Sequence, residues 1–187
     1  MIRKVGGPRN RGSFSQDHAS QNAKTAWRGK YIEVRTEGRW EYVARTRGVT
    51  AAVILAIDED HVILVEQHRV PLGRRCLELP AGLVGDETAG EAVEVAAIRE
   101  LEEETGWRAR SITSLGTFHT SPGMSAEVFT LLRAEGLEKV SKGGGVVGEE
   151  IQAHRVKLAD VPAFIEERRN ADVAIDAKLL LLTFHLG

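Results

Sequence analysis

Four carboxylates crowd the last turns of one predicted helix, just before the glycine at position 106: Glu100, Glu102, Glu103 and Glu104. The negative pole of the helix dipole lies at that end, and like charges three or four residues apart repel each other. At about 100° per residue, Glu100, Glu103 and Glu104 fall within roughly one 100° sector of the helix surface. Carboxylate oxygens suit hard cations such as Mg²⁺ and Mn²⁺. The cluster therefore indicates either a metal site or a solvated acidic helix end.

The helix that carries these acids is predicted from about Ala92 to Thr105. The residues on the side away from the three carboxylates are apolar: Val95, Ala97, Ile98 and Leu101. We therefore expect the helix to pack on a sheet and to present its acids to a cleft. Glu102 falls within the apolar sector, which this arrangement does not explain.

Length and composition indicate one ordinary soluble domain. The chain has 187 residues, 42% apolar and 28% charged, with a formal charge of −2. Such a charge gives no general reason to expect nucleic acid or an acidic membrane as a partner. No apolar stretch approaches the roughly 18 residues of a membrane span, and no signal peptide is recognised. Cys76 is the single cysteine, which fits a reducing compartment. The expectation is a cytoplasmic protein.

The N-terminal quarter divides into two parts. Residues 1–25 are polar and interrupted by glycine and proline, which predicts a flexible arm. In residues 26–47, the segments Lys30 to Arg35 and Arg39 to Arg45 flank a turn at Glu37 and Gly38, which predicts a hairpin.

Residues 48–187 are expected to form the main domain. Strands are predicted at four apolar segments: Thr50 to Ile57, His61 to Glu66, Ala126 to Arg133 and Ile151 to Leu158. A loop rich in proline and glycine, from Pro71 to Gly85, leads to the acidic helix. Two more helices are predicted, from Asp160 to Arg169 and from Ala174 to Leu186, with Asp160 as an N-cap. This order predicts an α+β fold with mixed layers of sheet and helix.

The spacing around the acidic helix resembles the Nudix box. Nine positions match: Gly85, Glu91, Arg99, Glu100, Leu101, Glu103, Glu104, Gly106 and Trp107. The resemblance implies a Nudix fold, an α/β/α sandwich around a mixed sheet. It also implies hydrolysis of a nucleoside diphosphate linked to another group, with Mg²⁺ as the cofactor and Mn²⁺ as a substitute.

The resemblance implies a role for each acidic residue of the box. Glu100, Glu103 and Glu104 would bind the metal, Arg99 would form structural ion pairs, and Glu91 would orient the loop. Upstream, the segment 77–82 is similar to the one that leads into the box of ADP-ribose pyrophosphatases. Its Gly82 precedes Gly85 by three residues, so either glycine is a candidate for the first box position. The backbone carbonyl of Ala81 would be a further metal ligand.

Two other segments are similar to those of ADP-ribose pyrophosphatases. Arg69 ends a Gln-x-Arg sequence, which implies a contact with the adenosine, although a surface arginine is the alternative. Ser121 begins a Ser-Pro-Gly loop with Glu127 downstream, which implies contacts with the terminal ribose or the phosphates; a plain turn before a strand is the alternative.

The catalytic base has three candidates. The resemblance points to a glutamate from a mobile loop before a late strand, where Glu149 and Glu150 follow a glycine-rich segment. Glu103 is the third candidate, because other Nudix branches take the base from the helix. The glycine-rich segment also fits G-x-G-x-x-G, but it leads into a strand, whereas the dinucleotide fingerprint opens a helix.

The predicted reaction is hydrolysis of ADP-ribose to AMP and ribose 5-phosphate. A second hypothesis changes the substrate to another nucleoside diphosphate sugar, such as GDP-mannose. A third is a module that binds ADP-ribose without cleaving it. In similar pyrophosphatases the hairpin packs on a second subunit, so a homodimer is expected, with Trp40 or Glu41 contributing to the partner's substrate site.

Overall fold

A computed structural model describes residue 20 and residues 22–46, 49–85, 91–146 and 148–185. Most of the predicted arm, residues 1–25, lies outside this range. The first three strands form a small antiparallel sheet: β1 (Lys24–Arg28), β2 (Ile32–Glu37) and β3 (Trp40–Arg45). The predicted hairpin is correct for β2 and β3, which turn at Gly38. It omitted β1, whose five residues are all exposed and show no alternation of apolar and polar residues.

Ten further strands, two α-helices and three 3₁₀ helices follow in the described chain, the 3₁₀ helices at Val70–Leu72, Leu158–Asp160 and Ala177–His185. The strands are β4 (Thr50–Asp58), β5 (His61–Arg69), β6 (Arg74–Glu78), β7 (Ala81–Val84), β8 (Trp107–Arg108), β9 (Ser111–His119), β10 (Val128–Glu135), β11 (Glu138–Lys139), β12 (Gln152–Lys157) and β13 (Ala174–Ile175). The helices are α1 (Val93–Thr105) and α2 (Val161–Asn170). No helix in the described part of the chain has the length and apolar character needed to cross a lipid bilayer.

Strand β4 lies at the centre of a mixed sheet. It runs parallel to β10, its first half pairs antiparallel with β7, and its end forms a hairpin with β5. On one side β10 continues to β9; on the other, β5 pairs with β6 and β12, and β6 pairs with β13. Because β7 pairs with β4 and leads toward α1, the sheet places Ala81 and Gly82 beside the acidic helix.

The two faces of this sheet have separate cores, as the alternation along β4 requires. Ala52, Ile54 and Ala56 face Ala97 and Leu101 of α1. Neighbours one residue along face the other way, toward α2 and the 3₁₀ helix Ala177–His185: Val53, Leu55 and Ile57. The predicted α/β/α sandwich around a mixed sheet is therefore confirmed.

Several local predictions were wrong. The predicted C-terminal helix from Ala174 is β13 followed by a 3₁₀ helix, because Ala174 and Ile175 pair with β6 instead. The predicted loop from Pro71 to Gly85 contains β6 and β7, and β9 was not predicted. Val95 is 57% exposed and does not join the core. The Asp160 side chain makes no capping hydrogen bond to α2.

Candidate active site

The C-terminal end of α1 is held by the glycine-rich loop. Gly106 has φ of 73°, the left-handed conformation that ends the helix, and its N–H donates to the Glu102 carbonyl. Gly144 N–H donates to the Glu104 carbonyl at 2.9 Å and Gly145 N–H to the Glu103 carbonyl at 3.0 Å. These bonds satisfy carbonyls that a helix end otherwise leaves unpaired. The loop is therefore fixed next to the acidic cluster.

Arg99 draws three carboxylates of the motif together. Its guanidinium lies 2.9 Å from Glu100, 3.4 Å from Glu103 and 3.5 Å from Glu91. This is the arrangement expected of a structural ion-pair residue. Glu102 points elsewhere and pairs with Arg108, a hydrogen bond that lowers the pKa of Glu102 and explains a carboxylate in the apolar sector.

Glu104 is the carboxylate of α1 that is buried. It is 5% exposed, and its Oε2 accepts the backbone N–H of Ala81 at 3.1 Å. Its pKa is raised to about 8, mainly by burial and also by the nearby charges of Glu100 and Glu149, while the Ala81 hydrogen bond and the charge of Arg69 oppose the shift. Within the described chain, no cation forms an ion pair with Glu104.

Other buried glutamates of the described chain have arginine partners. Glu33 pairs with Arg28 and Arg35, Glu66 with Arg75, and Glu78 with Arg69. Glu104 is thus the exception among four buried glutamates. An ionised carboxylate in a protein interior requires a compensating charge or it takes up a proton.

The two candidate glycines have different surroundings. A Cβ on Gly82 would lie 2.1 Å from Cγ and Cδ of Glu100, so a larger residue there would force the Glu100 side chain to move. A Cβ on Gly85 would meet open space, but Gly85 has φ of 83°, which favours glycine for a conformational reason. Gly82 therefore sets the position of Glu100, and Gly85 turns the chain after β7.

A cleft of about 750 Å³ opens next to β7. Its polar and glycine lining comes from five parts of the chain: Arg45, Arg69, Glu78, Gly82, Thr120, Glu127, Asp176 and Lys178. Three cation–carboxylate pairs line it: Arg45 with Glu127, Arg69 with Glu78, and Lys178 with Asp176. The cleft thus presents many hydrogen-bonding groups with little net charge.

Arg69 lies in this cleft, and its contact with the adenosine stays a prediction. Its Nε and Nη2 donate to the two oxygens of Glu78 at 2.6 and 2.8 Å. Hydrogen bonding to Glu78 raises the pKa of Arg69, so its charge is permanent. The 95% buried Glu78 side chain therefore holds a fixed cation whose own side chain is 41% exposed.

The Ser-Pro-Gly loop contributes one of its two predicted residues to the cleft. Glu127 lines the cleft, whereas Ser121 closes the turn: its carbonyl accepts the N–H groups of Met124 and Ser125. Trp40 lines a separate cavity of about 260 Å³, and Glu41 is exposed. A contact of Trp40 or Glu41 with a partner's substrate stays a prediction.

The three candidates for the base differ in position. Glu149 lies against the glycine-rich loop, where its Oε2 accepts the Val146 N–H at 3.1 Å and its charge acts on Glu104. Glu150 is exposed and has φ of 49°. Glu103 is 40% exposed and pairs with Arg99.

The fit of the residues to a metal is partial. The carboxylates are the donors that a hard cation prefers, and buried Glu104 lacks a cationic partner in the described chain. However, the described residues contain no group of three or more histidine, cysteine, aspartate or glutamate side chains placed to hold a metal. Glu100 and Glu103 meet Arg99 instead. Metal binding by Ala81, Glu100, Glu103 and Glu104 therefore stays a prediction.

Several cleft residues were not singled out from the sequence: Arg45, Glu78, Thr120, Asp176 and Lys178. Glu78 had a usable signal, because it stands between two leucines in a segment that must be buried. Arg45 had none, because its partner Glu127 is 82 residues away. Cys76 also lines the cleft, but burial raises its pKa to about 12, which leaves an unreactive thiol.

The fold and the box define a member of the Nudix family, and the sequence model of the NUDIX domain matches residues 46–177. The chain belongs to this family. It is 37% identical over 122 residues to the ADP-ribose pyrophosphatase of Bacillus subtilis, a match that covers 65% of this chain but only 64% of that protein. It is 35% identical over 150 residues to the GDP-mannose pyrophosphatase of Cronobacter sakazakii, covering 75% and 74% of the two chains. A solved structure described as an ADP compounds hydrolase aligns with a TM-score of 0.63 and 27% identity, covering 78% and 81%.

Proposed function

We propose that this protein is a Mg²⁺-dependent pyrophosphohydrolase that cleaves ADP-ribose to AMP and ribose 5-phosphate. One observation carries the proposal. Among the buried glutamates of the described chain, Glu104 alone forms no ion pair with an arginine, although the charge of Arg69 acts on it; its carboxylate accepts the Ala81 N–H at the cleft wall and is near the charges of Glu100 and Glu149. Such a site is costly for a purely structural purpose, and a divalent cation would offset its charge.

The metal would be held by Glu100, Glu103, Glu104 and the Ala81 carbonyl. When bound, a divalent cation neutralises a diphosphate and makes a bound water more acidic. The chain's own residues prepare this site. Arg99 restrains Glu100 and Glu103, and the Ala81 N–H fixes one oxygen of Glu104, so that the carboxylates start close to their working positions.

Glu149 is the base that the geometry favours. Its Oε2 accepts the Val146 N–H from the loop that also caps α1, and its charge acts on Glu104. As the base, it would take a proton from the attacking water. Glu149 and Glu150 are both exposed, but no such effect on Glu104 is found for Glu150, and Glu103 pairs with Arg99.

The substrate is inferred from the cleft and the relatives together. A cleft with paired charges and many acceptors suits a polyhydroxylated sugar, whose hydroxyls donate to carboxylates. The name of the Bacillus subtilis relative favours ADP-ribose. The name of the Cronobacter sakazakii relative supports GDP-mannose as the second candidate.

Hydrolysis in ¹⁸O-labelled water with ADP-ribose and Mg²⁺ tests the reaction. We expect AMP and ribose 5-phosphate, with the label on the phosphate that was attacked. A parallel panel of nucleoside diphosphate sugars compares kcat/KM and decides between ADP-ribose and GDP-mannose. Tight binding without any released phosphate monoester would instead establish a binding module.

A homodimer is part of the proposal. The N-terminal sheet exposes large apolar side chains that a second copy would cover: Trp27, Tyr31, Ile32 and Trp40, each 41–59% exposed. Light scattering after size-exclusion chromatography should give the dimer mass, and Trp27→Ser should shift it toward the monomer. A cytoplasmic location is proposed from the single buried cysteine.

A further inference from the structure

The small N-terminal sheet contacts the wall of the cleft through β3. Val43 N–H donates to the Met124 carbonyl at 2.9 Å, and Ala126 N–H donates to the Val43 carbonyl at 2.8 Å. A parallel bridge pairs Val43 with Ser125. The match to the NUDIX domain begins at residue 46. A segment outside the matched range therefore supports the loop that leads to Glu127.

Arg45, at the end of β3, completes this support. Its Nε and Nη2 both donate to Glu127 Oε1, at 2.8 and 2.6 Å. The Thr120 hydroxyl lies 3.3 Å from Glu127 Oε2, and the Ser125 hydroxyl accepts the Glu127 backbone N–H at 2.9 Å. Glu127 is thus held at its backbone and at both carboxylate oxygens.

Folding stability is a poor explanation for this ion pair. The side chains of Arg45 and Glu127 are 31% and 28% exposed, and ion pairs that solvent reaches contribute little to stability. Both residues line the cleft, however. Their contact is therefore better explained by what Glu127 does in the cleft.

The pairing also changes what Glu127 can bind. A bare carboxylate would repel the diphosphate of a substrate, and the guanidinium compensates that charge. Both donors of Arg45 use Oε1, so Oε2 keeps lone pairs beyond its long contact with Thr120. A free carboxylate lone pair accepts a hydrogen bond from a hydroxyl, and phosphate oxygens offer no such donor.

We infer that Arg45 is a positioning residue, which acts through Glu127 and orients that carboxylate to accept a hydrogen bond from a sugar hydroxyl of the substrate. The inference rests on the proposed function, since it assumes a nucleoside diphosphate sugar in the cleft. Arg45 itself is not required to touch the substrate.

A double-mutant cycle tests whether Arg45 acts through Glu127. Arg45→Gln and Glu127→Gln are each expected to raise KM for ADP-ribose by about tenfold, with kcat nearly unchanged, because a contact remote from the reacting bond contributes equally to ground state and transition state. The double variant should raise KM no further than the more damaging single variant. Arg45→Lys keeps the positive charge but loses the pair of guanidinium N–H donors, so its KM should lie between those of the parent and Arg45→Gln.

Arg28→Gln is the matched control. It removes another arginine of the same sheet from an ion pair, with Glu33, and Arg28 does not line the cleft. We expect its KM to equal that of the parent. An equal rise in KM for Arg28→Gln would mean that the sheet as a whole, and not Arg45, matters, and would overturn the inference.

Other results separate this inference from the proposed function. An unchanged KM in Arg45→Gln would overturn the inference while hydrolysis by the parent stands. So would a double variant whose fold-rise in KM equals the product of the rises in the two single variants. If the parent binds ADP-ribose without cleaving it, the hydrolase proposal fails, and the same cycle is read from Kd by calorimetry. A parent that neither binds nor cleaves any nucleoside diphosphate sugar overturns both.

Discussion

Two glutamates on different elements, equally buried, have opposite electrostatic surroundings. Glu104 on α1 is 5% exposed and has no ion-pair partner in the described chain, with the charges of Glu100 and Glu149 nearby, whereas Glu66 on β5 is 4% exposed and forms ion pairs with arginines. Arg75 is 2.6 Å from Glu66, and His154 and Arg168 are 3.5 and 3.7 Å away.

The difference indicates two purposes for the same side chain. Around Glu66, Arg75 of β6 and Arg168 of α2 meet one carboxylate beside His154 of β12, so the charge is compensated within the protein and the layers are held together. Around Glu104 the protein supplies a backbone N–H, the negative charges of Glu100 and Glu149, and the more remote positive charge of Arg69, which forms no ion pair with it. Under the proposed function, a divalent cation would supply the missing compensation.

The largest expected effect is the loss of turnover in Glu104→Gln. Removing a metal-binding charge should lower kcat/KM by about 10³-fold or more, which corresponds to about 4 kcal/mol of transition-state stabilisation. Steady-state kinetics at saturating Mg²⁺ measure it, and Glu66→Gln is the control. The proposed difference between the two glutamates would be wrong if Glu104→Gln kept its kcat/KM, or if Glu66→Gln lost as much kcat/KM as Glu104→Gln.

A second test uses the pH dependence of stability without metal. The pKa of Glu104 is raised to about 8 from an ordinary 4.5, so the folded protein favours the protonated form. Its contribution to stability is complete below pH 4.5 and is lost as the pH rises through about 8. The free energy of unfolding of the parent should therefore fall between about pH 5 and pH 8 by on the order of 3 kcal/mol relative to Glu104→Gln, at 1.36 kcal/mol per pKa unit.

Chemical denaturation of both proteins in chelator provides this measurement. Mg²⁺ should then restore stability to the parent at the higher pH and leave Glu104→Gln unchanged. Parallel pH profiles for the two proteins would mean that Glu104 is compensated by the protein itself.

Glu66→Gln should lower stability instead of activity. Removing this carboxylate leaves Arg75, His154 and Arg168 with uncompensated charge or unpaired donors. We expect a loss of about 2 kcal/mol, less than the roughly 3–5 kcal/mol of fully buried pairs, because water reaches Arg75. Urea unfolding measures it, with Glu166→Gln on the exposed surface of α2 as control, because Glu166 pairs with Arg169 and not with the cluster around Glu66. A stability equal to that of the parent would show that the cluster does not hold the layers together.

The two sites also differ in how far the sequence predicted them. Helix α1 and its end at Gly106 follow from short spacings that a helix converts into neighbours, and the ion-pair role of Arg99 was implied by the resemblance to the Nudix box. Glu66 was not singled out, because its partners come from three elements distant in the chain. The role of Gly82 depends on the approach of β7 to Glu100, and β7 itself was hidden by the prolines and glycines around it.

The cleft shows the same limit. Its contacts join positions as far apart as Arg45 and Glu127, and no local pattern records such a pairing. The chain end was misassigned for a related reason: a strand of only two residues, Ala174 and Ile175, is too short to give a periodic pattern, and pairing with β6 decides its conformation.

The smallest expected effect concerns His154, next to Glu66. Burial lowers its pKa from the ordinary 6.5, the charges of Arg168 and Arg75 also lower it, and Glu66 opposes this change without reversing it. The folded protein therefore binds a proton less readily than the unfolded chain, so stability is present above about pH 6.5 and is lost as the pH falls. His154→Gln lacks this titration, although it also loses the contact of the imidazole with Phe164. Relative to the variant, the parent should lose stability between about pH 7.5 and pH 5.5 in urea unfolding. If the parent instead gains stability in acid, the charge of Glu66 raises the pKa of His154 by more than burial lowers it. The arginines around Glu66 would then compensate its charge less completely than the comparison with Glu104 requires.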